Sequence, residues 1–214
     1  MLLSKIMTKN PVFVSPGLSL TETRAVMDRE NIGHLPVLNK GSELVGIVTH
    51  ADLLKASPSL ATSLDVYEIN YLLAKLTVEK VMVKNVVTVQ ENEVVEKAAK
   101  TMADRTIGCL PVMNGTLLVG IVTDTDIFRF FVNAFGARHK GVRVTVVANE
   151  RPGLLASFAG ALAKEGGNIA ALVTSEGDDV AHRRVTLKIT GISRAAVEAA
   201  ANAAEGVKIE DIRE

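Results

Sequence analysis

The sequence predicts a mixed α/β protein: two β-α-β-β-α units packed as a pseudo-twofold pair, then a smaller ferredoxin-like β-α-β-β-α-β domain. Three observations predict it. The stretch Gly46-Ile47-Val48-Thr49-His50-Ala51-Asp52 recurs as Gly120-Ile121-Val122-Thr123-Asp124-Thr125-Asp126. The surrounding chain aligns on itself at an offset of 75 residues, with one deletion in the turn that precedes this stretch. Beyond residue 141 the repeat stops, and alternating apolar runs enclose two helical ones. At 214 residues the chain is long enough to bury a proper core.

Each copy parses in the same order. Val12 to Val14, and Val87 to Val89, read as a short leading strand. A helix follows: Ser19-Leu20-Thr21-Glu22 is a capping box in the first copy, and Val95, Ala98, Ala99 and Met102 form one apolar face in the second. Leu35-Pro36-Val37 and Leu110-Pro111-Val112 mark a second strand, whose proline suits its first positions. Asn39-Lys40-Gly41-Ser42 and Asn114-Gly115 turn the chain into a third strand, which ends at Thr49 or Thr123 and runs into a second helix. Two copies are too few for an open solenoid, so a closed face-to-face pair is expected. Between them, Ser63 to Leu73 reads as a linker helix capped by Ser63.

The duplicated stretch admits two readings. Threonine at the end of a strand can cap the next helix, and aspartate three residues later suits the positive end of the helix dipole. That is a capping box with no ligand. Alternatively, the same groups face a ligand.

Composition narrows the function. Lysine plus arginine and aspartate plus glutamate are 24 each, so no basic surplus points to nucleic acid. Tryptophan is absent, which removes obvious base-stacking platforms. The N-terminus lacks a signal-peptide core, and no apolar run is long enough to span a membrane, so a cytoplasmic location is expected. The single cysteine, Cys109, reads as a small buried apolar residue, and no metal-ligand spacing appears. His34 and His50 read as surface histidines rather than pH sensors or metal ligands. No phosphate-binding Gly-x-x-x-x-Gly-Lys-Ser/Thr loop and no Cys-His dyad at a motif spacing occurs, so no catalytic residue is assigned.

On the twice-present Gly-h-x-Thr-x-x-Asp pattern, Met7-Thr8-Lys9-Asn10 and the Leu-Pro-Val segments, residues 1 to 135 resemble a tandem of cystathionine-β-synthase (CBS) domains, often called a Bateman module. The resemblance divides this part into a first domain at 1–60, a linker helix at 61–76 and a second domain at 77–135. It implies an adenosine-containing regulatory ligand (AMP, ADP or ATP), bound in clefts between the copies, with no cofactor required. The residue chemistry agrees. One carboxylate can accept both vicinal ribose hydroxyls, which suits Asp52 and Asp126. Hydroxyl and backbone N–H donors at a helix start suit a phosphate, which points to Thr49 and Thr123. Val12 and Val87 are placed against the adenine. Asp124 would repel a phosphate. The second site is therefore expected to take a nucleoside, a single phosphate reached by Lys84 or Arg105, or nothing.

In the remainder, Val142 to Val147 alternates as a strand, Leu154 to Glu165 is an apolar helix, and Asn168 to Ser175 and Arg184 to Thr190 form two further strands. Ser193 caps an alanine-rich helix, and Val207 to Ile212 closes the set. Arg151-Pro152-Gly153-Leu154-Leu155 and Gly167-Asn168-Ile169 make residues 141–214 resemble an ACT domain, a sensing module of amino-acid metabolism. The resemblance implies a small amino acid held by Glu150, Arg151, Pro152, Gly153, Leu154, Asn168 and Ile169, with Glu150 standing where aspartate is usual. The alternative is a domain that only dimerises. The CBS-CBS-ACT order is similar to the acetoin-utilisation protein B type of bacterial protein. The leading reading is a non-catalytic sensor that works as a homodimer on an unknown regulated protein. An adaptor with empty sites is the alternative, and an enzyme acting on a bound nucleotide stands further back.

Overall fold

The computed structural model describes residues 1–56 and 75–214. The expected linker helix lies almost wholly outside them. The described chain divides into two compact units, Met1–Ile127 and Phe128–Glu214.

In the first unit, β1 (Thr8–Lys9) precedes α1 (Leu20–Glu30), β2 (His34–Leu38), β3 (Leu44–Thr49) and α2 (His50–Ala56). The second copy runs α3 (Val78–Val81), β4 (Val89–Gln90), α4 (Val95–Arg105), β5 (Cys109–Asn114), β6 (Leu117–Thr123) and α5 (Asp124–Ala134), whose residues from Phe128 onward are counted in the second unit. Ser19 caps α1 through the full reciprocal box: Glu22 N donates to Ser19 Oγ, and Glu22 Oε2 accepts from Ser19 N. Buried Val95, Ala98 and Met102 form the apolar stripe of α4, as their spacing requires. Both β2–β3 and β5–β6 are antiparallel hairpins. The leading strands are shorter than expected. Val14 makes one parallel bridge to Val37, and its counterpart Val89 pairs parallel with Val112.

The segments before those strands cross over. Thr8 and Lys9 pair with Ile121 and Gly120 of the second copy, while Val83 bridges to Ile47 of the first. Leu2 bridges to Val94, and Thr77 to Ser19. The hydrogen bonds repeat the exchange: Leu3 N donates to Glu93 O and Val78 N to Leu18 O, each at 2.9 Å. Leu76, Val78, Val81 and Met82 therefore pack into the core of the first copy, with Met27, Leu35, Val37 and Val48. Ile47, Cys109 and Ile121, with Val86 against them, join the two copies.

The second unit contains β7 (Val142–Asn149), α6 (Leu154–Lys164), β8 (Asn168–Glu176), β9 (His182–Thr190), α7 (Arg194–Ala203) and β10 (Val207–Arg213). Its strands form one antiparallel sheet in the order β10-β7-β9-β8. Phe158 and Leu162 of α6, and Val197, Ala200 and Ala201 of α7, bury against Val144, Val146, Val185, Leu187 and Ile189. This is the expected order of elements, with Ser193 Oγ accepting from Ala196 N at the start of α7.

Candidate functional site

Strand β3 ends at Thr49, which pairs with His34, and α2 starts at the next residue, His50. Asp52 turns back onto the strand end. Its Oδ2 accepts from Thr49 N at 2.9 Å and from Thr49 Oγ1 at 2.7 Å, while Asp52 N points at Thr49 Oγ1 at 3.3 Å. Thr123 and Asp126 repeat this geometry, with 2.9, 2.8 and 3.3 Å. The capping box is thus formed in both copies. It engages only one oxygen of Asp52; Oδ1 accepts nothing from the described residues.

Asp52 and Thr49 lie in the wall of a cavity of about 590 Å³. The first copy contributes Gly33, His34, Ile47, His50 and Lys55, and the second Val83, Asn85, Val86, Val87, Thr106 to Cys109 and Pro111. The exchange of lead-in segments explains this mixed lining, because Val83 is held against Ile47 of the first copy. Of the residues picked from the sequence, the cavity brings together Thr49, Asp52 and Val87. Thr123, Asp126 and Val12 are outside its wall, and Val12 is exposed. The sequence reading attaches Lys84 and Arg105 to the second motif. Their chain neighbours Val83, Asn85 and Thr106 instead line the cavity of the first.

His34 and His50 are half-buried and line this cavity, which corrects their reading as surface histidines. Burial holds the His34 imidazole below its ordinary 6.5, and His50 lowers it further; Asp124 and Asp52 pull the other way. Cys109 is buried as expected, and burial, with Asp124 and Asp52 adding to it, pushes its thiol up to about 12. Sequence reasoning missed His34 as a wall residue because its cover comes from the other copy. Its position next to the repeated Leu-Pro-Val was the available signal.

In the second unit, Gly153 at φ +84° forms the N-terminal boundary of α6, and Leu154 is buried behind it. Positive φ is the reason for glycine there. Arg151 reaches the Glu205 carbonyl at 3.3 Å, and Glu150 pairs with Arg183. Glu150 also lines a cavity of about 360 Å³ with Glu176, Asp178, Asp179, His182 and Arg183. Asn168 and Ile169 are far from this turn within one chain. Asn149 pairs with His182 at one end of β9, whereas Asn168 pairs with Thr190 at the other. Among the described residues, no cluster of three or more His, Cys, Asp or Glu is arranged to hold a metal, and no helix is long and apolar enough to cross a membrane.

A duplicated α/β module with exchanged lead-in segments and a cleft between its copies is the class that this geometry defines. The CBS domain profile matches residues 3–59 and 78–133, and the chain belongs to the CBS-domain family. It is 34% identical over 131 residues to L-aspartate semialdehyde sulfurtransferase of Methanocaldococcus jannaschii, and 36% over 127 residues to homoserine O-acetyltransferase of Methanohalobium evestigatum. These matches cover 61% and 59% of this chain but only 23% of each relative, so the chain spans about a quarter of the length of these two relatives. Among solved structures, the CBS domain pair of protein MJ0100, in complex with 5′-methylthioadenosine and S-adenosyl-L-methionine, superposes with a TM-score of 0.53 at 31% identity, covering 65% of this chain and 98% of that one. A putative acetoin utilization protein (AcuB) from Vibrio cholerae gives 0.54 at 28%, covering 64% and 95%. CBSX2 in complex with AMP gives 0.50 at 26%, covering 61% and 96%.

Proposed function

We propose that this chain is a non-catalytic regulatory sensor that binds an adenosine-containing ligand in the cleft between its CBS domains. The observation that carries the reading is the division of labour at Asp52. One carboxylate oxygen caps α2, the other accepts nothing from the described residues, and Asp52 lines a cavity to which both copies contribute. A ribose offers two vicinal hydroxyl donors to that oxygen, and Val86 and Val87 offer the base an apolar wall. A volume of about 590 Å³ suits a nucleoside with a short 5′ arm. Thr49 then serves as the group that orients Asp52, because its hydroxyl proton is already donated to the carboxylate. Relatives with AMP, 5′-methylthioadenosine or S-adenosyl-L-methionine bound support the adenosine class. By the pseudo-symmetry, Asp126 and Thr123 would serve a second cleft with Val12.

The second unit we assign as an ACT-type sensing domain of ferredoxin-like topology, over 141–214, following CBS domains at 1–60 and 77–135. Its strand order and the Arg151-Pro152-Gly153 helix entry support this. Glu150 to Leu154 and Asn168-Ile169 lie at opposite ends of the sheet, so a small amino acid touching both sets requires two copies of the domain. A homodimer fits that requirement. It also fits the exposed apolar side chains of Phe128, Phe131 and Phe135 on and just after α5, where Phe128 is 67% exposed.

A thermal-shift panel tests the reading, with AMP, ADP, ATP, 5′-methylthioadenosine, S-adenosylmethionine and the common amino acids. A ligand at 100 times its Kd adds about 2.7 kcal/mol and raises the midpoint visibly. A rise with an adenosine ligand, lost in Asp52→Ala, is the expected result. A flat panel would return the motifs to pure caps and the chain to an adaptor.

A further inference from the structure

The cleft contains a group that the proposed ribose and base contacts leave unused. His34 starts β2, and its imidazole is part of the cavity wall. Gly108 of the second copy stands opposite it. A β-carbon at 108 would lie 3.5 Å from His34 Nε2 and 3.3 Å from Asp124 Oδ2. The imidazole of one copy and the carboxylate of the other therefore approach the same bare backbone. The titratable groups that act on His34 come from two elements, His50 and Asp52 on α2 and Asp124 at the start of α5, while the uncharged Cys109 thiol of β5 lines the same cavity. Lys55 of α2 shares the wall.

We propose that His34 reads the charge on the ligand's 5′ arm: the cleft holds an uncharged thioether arm at any pH and a phosphate arm best once the imidazole is protonated. This rests on the adenosine reading above. Asp52 and His34 line the same cavity, so an arm of a few atoms from a ribose on Asp52 extends along the wall that His34 shares. While the imidazole is neutral, a phosphate there meets two carboxylates, Asp52 and Asp124, against one permanent cation among the described wall residues, Lys55. Protonation adds a positive charge and a second N–H donor. Burial keeps the free imidazole's affinity for a proton low, whereas a bound phosphate raises it. Phosphate binding therefore takes up a proton. Affinity for a phosphate arm rises as pH falls through the raised value in the complex, and levels off below the value in the free protein. A thioether carries no charge and leaves this equilibrium alone.

The test is calorimetric titration of the full chain with AMP and with 5′-methylthioadenosine, at about pH 5.5 and about pH 8, on either side of the ordinary histidine range. His34→Gln is the comparison. The phosphate of AMP itself gains a proton near pH ~6, and the variant cancels that contribution. AMP should gain about tenfold in affinity on acidification relative to His34→Gln, for each pKa unit by which the phosphate lifts the imidazole. Methylthioadenosine should stay within about twofold at both pH values. If the variant folds poorly, an NMR titration of the wild-type His34 ring replaces it: AMP should raise its midpoint and methylthioadenosine should not. An equal pH response of AMP in wild type and variant, or an unmoved His34 midpoint, overturns the inference while binding of either ligand keeps the adenosine reading. Binding of neither ligand at either pH overturns both.

Discussion

The sulfur of Met82 lies against the bare α-carbon of Gly46, in the space that a β-carbon would fill, and the Val83 carbonyl oxygen is 3.2 Å from the same point. Met7 and Gly120 repeat the contact across the other pairing. The repeat's methionine and the glycine that opens its motif are therefore partners, each taken from a different copy.

Gly46→Ala should destabilise the first unit by about 1–2 kcal/mol, because overpacking costs more than the reduced freedom of the unfolded chain returns. A denaturant titration measures it. Met82→Ala in the same chain should recover part of the loss, since the side chain can yield and the Val83 carbonyl cannot. Additive losses in the double variant would contradict the contact.

Capping and ligand binding separate at the motif. Thr49→Ala should cost about 1 kcal/mol by loss of the cap, and weaken ligand binding only as far as it misorients Asp52. Asp52→Ala should lose a similar amount of stability and all of the binding. Parallel unfolding curves and calorimetric titrations of the two variants distinguish these outcomes.

His34 links stability to acid. Its proton is bound more weakly in the folded chain than in the unfolded one, so the unfolded state binds more protons just below pH 6.5. Stability should accordingly fall as pH drops below 6.5 towards the folded-state value and be level again beneath it. His34→Gln should flatten that step in a series of unfolding curves across the range.

Cys109 behaves in the opposite sense. With its thiol raised from 9.0 to about 12, stability contributed by the protonated form is lost as pH climbs from 9 towards 12. At neutral pH its thiolate fraction is about 10³-fold lower than that of an unperturbed cysteine, and alkylation of the native protein should be much slower than that of the unfolded chain. Rapid labelling without unfolding would refute the assigned environment.

Much of this architecture is legible in the residues. The 75-residue offset pairs Ile32 to Val37 with Ile107 to Val112, and the same hairpins form in both places. Thr-x-x-Asp encodes the capping box because its spacing is local, and the box is present twice. Non-local relations were less accessible. A repeat alignment shows that Thr8 corresponds to Val83 but is silent on whether each pairs within its own copy or across to the other. For the same reason Val12 is exposed and Val87 lines the cavity, although the sequence treats them alike. His34 looked like a surface residue because its cover, Gly108 with Asp124, comes from 74 to 90 residues further along the chain.

The exchange of lead-in segments bears on how such a chain could arise. A polypeptide carrying one repeat would have an undocked leader and a vacant groove of the same shape, and two such polypeptides would satisfy each other by swapping. Joining them end to end turns that bimolecular encounter into an intramolecular one, at an effective concentration on the order of millimolar for a short tether. The present molecule has the form of a swapped dimer made permanent by fusion. Once fused, its halves are free to diverge, and His50 against Asp124, or His34 against Cys109, records that they have done so at the cleft.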